Sequence, residues 1–446
     1  MISHRQYTEI YMGEERKQTV CLLNDSFPPV VDGVANTVVN YASVIEEGLG
    51  HSFVLTPEVK GADDGAFPFP VYRYPSLDTT KQFGYVTGLP LTAELWRQIR
   101  EERPAVIHSH CPAVSQFHAR ELRERLDIPV IFTYHTKFDI EIQRMVRGKL
   151  LQDSVLKALV ESVSASDEVW VVSEGAGENL RSLGFEGSYR VMRNGCDMEK
   201  GCLPEDVIRR HTGVYDLPSG IPVFLFVGRM MKYKGQMLTL DALRILDAKN
   251  VDFRMVFVGG GADLEKIRSY AETLGLSRKV IFTGSVQDRE VIRAFYGRAD
   301  LFLFPSAFDT NGLVVTEAAG SGTASVLLRG TPAAETIADG VNGFLIDETP
   351  ESMASVLMEL CTHPERMREA GMHAENEVYF SWKDAIRTAW DRYQDVIDNY
   401  RRGAYPKHGS FIERALDAHG TFLDGLARLT DFVHHVKDLD FPDLLR

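Results

Sequence analysis

Apolar residues along this chain come in short runs set between longer helical stretches. In the first half the runs are Val20–Asn24, Ser52–Thr56, Val106–Ser109, Val130–Tyr134 and Val169–Ser173. In the second half they are Val223–Gly228, Arg254–Gly259, Val280–Gly284, Leu301–Pro305 and Ser325–Leu328. A run that is apolar throughout, rather than alternating, marks a strand buried on both faces. Strands separated by helices build parallel sheets. The series occurs twice, which predicts an α/β chain of two Rossmann-like domains facing each other across a cleft. The Gly- and Pro-rich stretch Asn194–Pro222 marks the boundary between them. The chain then divides into residues 1–197, residues 198–378, a helix over 379–400 that crosses back to the first domain, and a tail over 401–446. In such folds a ligand sits at the carboxyl ends of the strands.

Period-3.6 patterning adds three helical segments. Trp382, Ile386, Trp390, Tyr393 and Ile397 anchor a helix over Tyr379–Tyr400. In the tail, Phe411, Ala415, Ala418, Phe422, Leu426, Leu429, Val433 and Val436 recur every three or four residues. Its charges are mixed, which favours packing on the body or on a second subunit over lying on a membrane. Between Lys137 and Ser166 a third amphipathic stretch carries one more basic than acidic residue. A helix covering the core is the default there, with docking on a membrane surface as the alternative.

Composition narrows the classes. The 446 residues are too many for one core and suit two domains. Net charge is −14, with 20 basic against 27 acidic residues in 1–197 and an equal imbalance in the remainder. No domain is basic, so nucleic acid is not an expected partner. No apolar run reaches the ~18 residues of a membrane span. Five scattered cysteines read as reduced thiols of a cytoplasmic protein.

The chemistry concentrates in Pro305–Gly320, PSAFDTNGLVVTEAAG. Asp309 and Glu317 flank a turn, Thr310-Asn311-Gly312-Leu313, that leads from a strand into a helix. Unpaired N–H groups and the helix dipole make such a turn an anion site. Two carboxylates beside it suit a ligand with both phosphates and hydroxyls, such as a nucleotide sugar. Upstream, Gly228-Arg229 and Lys234-Gly235 follow a strand end. An Arg fork and a Lys point charge together suit a diphosphate, although two solvated loop charges would look the same. Gly259-Gly260-Gly261 lets backbone approach a ligand but is not a full dinucleotide fingerprint.

In order, the segments are GRMMKYKG, VFVGGGADLEKI, VIFTGSV, DLFLFPSAFDTNGLVVTEAAGSG and RGTPAAETIADGVNGFLID. Their succession resembles the donor half of the GT-B glycosyltransferases, in particular the retaining fourth family, the glycosyl transferases of group 1. The resemblance spans residues 19–400. It implies that Arg229 and Lys234 meet the diphosphate and that Glu317 binds the ribose hydroxyls. Asp309 would hold a sugar hydroxyl. Backbone at Asn311, Gly312 and Leu313 would touch sugar and phosphate, and Thr283–Val286 would lie by the base. Two departures stand out. The family usually has Glu where this chain has Asp309, and Glu where it has Tyr233. A similar Asp occurs in trehalose-phosphate synthases.

For the acceptor side, Phe27-Pro28-Pro29-Val30-Val31-Asp32-Gly33-Val34-Ala35 follows the first strand. Gly33 lets the next helix approach the donor phosphates. Asp32 replaces the first of two glycines common in the family, and the form Pro-x-x-Asp-Gly-Val-Ala resembles the branch that glycosylates diacylglycerol. His110 and His135 end strands and are expected in the cleft, where a near-neutral histidine orients an acceptor hydroxyl or donates to pyrophosphate. A zinc reading of His108, His110, Cys111 and His135 is set aside because no carboxylate joins them. The resemblance therefore implies a metal- and cofactor-independent, retaining transfer of a hexose, glucose first, from a UDP-type donor. On the same resemblance the acceptor hydroxyl would belong to diacylglycerol or a related glycolipid, at the inner face of a membrane. The alternatives are a soluble sugar or sugar-phosphate acceptor and a non-catalytic sugar-nucleotide-binding protein. A pyridoxal-dependent phosphorylase would need a lysine context that is absent from the sequence.

Overall fold

A computed structural model describes residues 18–30, 32–80, 86–135, 138–139, 142, 148–307, 309 and 312–406. The expectations for the tail beyond 406, for Asn311 and for residues 143–147 lie outside the described residues. The first sheet holds β1 (Thr19–Leu23), β2 (His51–Pro57) and β3 (Val71–Tyr74). A small antiparallel pair, β4 (Ser76–Leu77) and β5 (Thr87–Gly88), follows. The first sheet resumes with β6 (Val106–Ser109), β7 (Val130–Tyr134), β8 (Glu168–Val171) and β9 (Tyr189–Val191). Its order is β3-β2-β1-β6-β7-β8-β9 and every pairing is parallel.

The second sheet contains β10 (Val223–Val227), β11 (Arg254–Val258), β12 (Val280–Gly284), β13 (Leu301–Phe304), β14 (Ser325–Leu328) and β15 (Gly343–Ile346). Its order is β12-β11-β10-β13-β14-β15, again all parallel. The central strands VFLFV and LFLF are buried at every position, which is why they read as unbroken apolar runs. In both sheets the strand order reverses once, between β1 and β6 and between β10 and β13. Such switch points open a crevice at the strands' carboxyl ends.

The helix Trp382–Arg401 begins at Ser381, whose hydroxyl accepts from the Asp384 N–H. It starts three residues later than the pattern predicts. Its apolar face (Trp382, Ile386, Ala389, Tyr393, Val396) packs with Val20, Val38, Tyr41 and Trp170 of the first domain. Burying an Ile or Val there contributes about 1.5–3 kcal/mol. Arg392 forks onto Glu168 at 2.6 Å, tying the helix to the start of β8. Over the expected segment 137–166 the helix runs from Lys149 to Ser164 and buries only Val160 and Val163.

The domains also touch directly through Glu335. The Glu335 carboxylate accepts from the Glu174 and Gly175 N–H groups at 2.9 and 2.7 Å. These open the helix Glu174–Ser182, so the contact joins a carboxylate to a helix N-terminus.

Candidate active site

Two loops meet at the switch point of the second sheet. After β10 the chain passes Gly228 and Arg229 into a tight turn, Lys232–Lys234, and on to Gly235. Gly235 has φ 82°, and a Cβ there would lie 2.2 Å from the Pro305 carbonyl oxygen. Only glycine lets these two loops come so close. The close approach sets Lys234 against the segment after β13. Lys234 Nζ lies 2.8 Å from Asp309 Oδ1 and 3.1 Å from Oδ2. The Ser306 hydroxyl donates to Asp309 Oδ2 at 2.5 Å, and Nζ stands 5.3 Å from the Phe304 ring centroid. The lysine side chain is 11% exposed and the aspartate 26%, so the pair borders the cleft without lying open to it. The Arg229 side chain is exposed and has no ion pair among the described residues.

Beyond Asp309 the helix Leu313–Gly320 starts at Gly312, φ 57°. Glu317, one turn in, is nearly buried. Its Oε1 pairs with Arg289 Nη2 at 2.8 Å, and its Oε2 accepts from the Tyr296 hydroxyl at 3.1 Å. Burial raises the Tyr296 phenol well above its usual range, so it stays a donor. The loops after β10, β11 and β12 lie side by side. A Cβ at Gly259 would fall 1.9 Å from the Gly228 carbonyl oxygen, and one at Gly260 would lie 3.4 Å from Ser285 Cβ. This places Gly259, Gly260 and the Thr283–Val286 stretch next to the Arg229 loop.

On the other side of the cleft, β1 leads to the helix Gly33–Val44. Asp32 Oδ1 accepts from the Val34 and Ala35 N–H groups at 2.9 and 2.8 Å. The carboxylate expected to face an acceptor is therefore the helix cap, while Gly33 is exposed beside it. His135, after β7, is 8% exposed. His110, expected beside it in the cleft, is instead 1% exposed and sits behind it. Its Nδ1 lies 2.9 Å from His135 Nε2, and the rings stack with centroids 5.2 Å apart. His108 is wholly buried, its Nδ1 2.6 Å from the Tyr393 hydroxyl and its Nε2 2.6 Å from Thr133 Oγ1. Burial holds His135 down to about 3 and His108 and His110 well below the usual histidine value. All three rings are neutral at pH 7.

Some of the residues around the cleft carry no sequence signal that singles them out. Arg289, Tyr296 and Glu335 act through partners distant in sequence, while Ser306 meets Asp309 three residues on. Asp25, two residues beyond the end of β1, is partly buried. Its Oδ1 accepts from the Ser115 N–H at 2.9 Å and the Tyr74 hydroxyl at 3.1 Å, and burial raises its carboxyl. The dipeptide Asn24-Asp25 after a buried strand was the one available hint. Among the described residues no group of three or more His, Cys, Asp or Glu side chains is placed to hold a metal ion.

With this geometry in place, comparison with known proteins identifies the class. Residues 31–200 match the model "Glycosyltransferase Family 4", and residues 208–377 match "Glycosyl transferases group 1". The alpha-monoglucosyldiacylglycerol synthase of Streptococcus pneumoniae is 26% identical over 70% of this chain and 71% of its own. The D-inositol 3-phosphate glycosyltransferase of Corynebacterium kroppenstedtii is 28% identical over 69% and 70%. Among solved structures, Anabaena HepE in complex with UDP superposes with a TM-score of 0.66 at 18% identity, covering 85% of this chain and all of that one. The matched models take in most of the chain and divide it where the two sheets divide. The chain belongs to the GT-B glycosyltransferases, a family 4 domain followed by a group 1 domain.

Proposed function

We propose that this glycosyltransferase moves a hexose, glucose first, from UDP to a hydroxyl acceptor with retention of configuration. The observation that carries the reading is the Lys234–Asp309 pair, braced by Ser306 at the carboxyl ends of β10 and β13. It sets a cation and a carboxylate side by side at a switch point, as a sugar diphosphate requires. Lys234 and the exposed Arg229 would take the diphosphate. Asp309 would hold a sugar hydroxyl, Glu317 the ribose, and the N–H groups that open the helix Leu313–Gly320 the phosphate or sugar. Charge building on the departing diphosphate is then met by groups already in place, the largest contribution such a site can make. In this proposal the side chains themselves do this work, without a metal or cofactor.

The acceptor we propose is diacylglycerol or a related glycolipid, reached from the cytoplasmic face of a membrane. Support comes from the Streptococcus pneumoniae relative's name and from Leu150 and Leu151, which are 87% and 49% exposed on the helix Lys149–Ser164. No helix among the described residues is long and apolar enough to cross a membrane. A soluble acceptor is the second reading, favoured by the inositol-phosphate relative. Incubating the protein with UDP-, GDP- and ADP-hexoses, with and without diacylglycerol vesicles, decides between them. Glycolipid formed from the UDP donor supports the proposal. Transfer only to a soluble sugar or inositol phosphate removes the lipid acceptor, and turnover of another donor alone removes UDP.

A further inference from the structure

The loop after β1 is short of backbone donors. Pro28 and Pro29 carry no N–H, and the turn they form is held by the Val30 N–H on the Phe27 carbonyl at 3.1 Å. Its carbonyls therefore draw donors from outside the loop. Arg73, near the end of β3, supplies one. In the sheet β2 lies between β3 and β1, so the side chain crosses two strand spacings, roughly 10 Å. Its Nη2 donates to the Pro28 carbonyl at 2.7 Å, and its Nη1 donates to the Pro57 carbonyl at the end of β2 at 3.0 Å. Asp64 accepts from Nε at 2.7 Å and from Nη2 at 2.7 Å. The Phe27 ring lies against the guanidinium, its centroid 5.8 Å from Cζ. A cation beside the cleft suggests a phosphate ligand, but a ligand keeps its donors free. Four of the five N–H groups of Arg73 are spent inside the first domain. Asp64 also pairs its charge through both oxygens, and the side chain is only 11% exposed. The arginine is a brace between β2, β3 and the loop after β1.

The braced loop leads into Asp32, whose carboxylate caps the helix Gly33–Val44. Fixing the Pro28 carbonyl therefore fixes where that helix begins and where the exposed Gly33 stands. We infer that Arg73, held by Asp64, is a positioning residue for sugar transfer: it sets the loop that brings Gly33 to the cleft and touches no substrate itself. The consequence for transfer rests on the reading that Gly33 lets this helix approach the donor phosphates; the anchoring of the loop does not.

The test takes two readings on the full chain. In Arg73→Met, amide hydrogen exchange at Val30, Val34 and Ala35 should quicken about tenfold or more, because a charge-assisted bond to the loop is lost. Amides of β10 and β13 should keep their wild-type rates. In transfer from UDP-glucose to diacylglycerol vesicles, kcat should fall about tenfold through the misplaced loop. UDP affinity, set in the second domain, should stay within twofold. Arg73→Lys should recover little of kcat, since a point charge does not hold Asp64 and Pro28 together. Asp64→Asn keeps the shape and weakens the fork. It should give the same pattern at smaller amplitude, and it carries the test if Arg73→Met does not fold. Wild-type exchange at all three amides in the folded variants overturns the anchoring. A loosened loop with wild-type kcat overturns the positioning role, and so does full recovery in Arg73→Lys. If the wild type transfers nothing from UDP-glucose, the functional proposal falls while hydrogen exchange still decides the anchoring.

Discussion

Lys234 and Asp309, 75 residues apart in sequence, form a two-toothed ion pair at 2.8 and 3.1 Å that the Ser306 hydroxyl completes. Without a donor, the cation proposed for the diphosphate is held by the carboxylate proposed for the sugar. A bound sugar diphosphate would have to share Lys234 with Asp309, and the pair would then fix both ends of the reacting bond. Lys234→Ala should lower kcat by roughly 10²–10³, the usual loss when one preorganised charge donor is removed. Lys234→Arg should recover little, because a planar fork does not replace a point charge in this narrow setting. Steady-state transfer rates check this. A loss smaller than tenfold in Lys234→Ala would take Lys234 out of the donor site.

Glu317 divides its oxygens between Arg289 and Tyr296. Glu317→Gln removes the charge that both partners orient. UDP affinity measured by calorimetry should then fall about tenfold or more, since hydrogen bonds to a charged group contribute about 1.5–3 kcal/mol. Tyr296→Phe deletes one donor and leaves the carboxylate, so its cost should stay near 1 kcal/mol. If the two variants bind UDP equally well, Glu317 does not read the ribose.

The central strands of both sheets and the edge strand β12 could be read from the sequence, whereas the edge strands β3, β9 and β15 could not. VFLFV and LFLF are buried on both faces and leave continuous apolar runs. β3 (VYRY) and β9 (YRV) lie at the sheet edges, mix exposure with burial, and look like ordinary loop sequence. The loops after β10 and β13 stood out because their glycines and charges are local. The histidines were only half legible. Ile107-His108-Ser109-His110 marks a strand end, but which rings are buried depends on Tyr393, which arrives from a helix 285 residues after His108. Asp32 shows the same limit. Asp followed by Gly before a helical run fits a cleft residue and a helix cap equally well, and the hydrogen bonds to Val34 and Ala35 decide for the cap.

Glu335 of the second domain accepts from the Glu174 and Gly175 N–H groups of the first, and Pro332 packs over Gly175. The contact is solvent-exposed, so its contribution should be modest, about 0.3–1 kcal/mol for a carboxylate at a helix N-terminus. That is enough to shift an open–closed equilibrium by a factor of about two to five. Glu335→Ala should increase the radius of gyration in small-angle scattering at low salt. The difference from wild type should shrink above ~0.5 M salt as the charge is screened. Identical scattering at low salt would show that the contact does not hold the domains together.

The three buried histidines make folding sensitive to acid in one direction. In the unfolded chain each takes up a proton below about pH 6.5. In the folded protein burial keeps His135 neutral down to about 3 and holds His108 and His110 well below their usual value. Below 6.5 the unfolded state thus binds more protons than the folded one. The stability these residues permit is complete above that pH and is lost as pH falls from about 6.5 towards 3. Each histidine can add a slope of up to about 1.4 kcal/mol per pH unit within that window. Urea unfolding at pH 7.5, 6.0 and 5.0 should show a steepening loss. His110→Asn, which removes one titrating ring, should flatten it by about a third. A wild-type profile that stays level between pH 7.5 and 5.0 would mean that the rings are protonated in the folded state, and the neutral network described here would not exist.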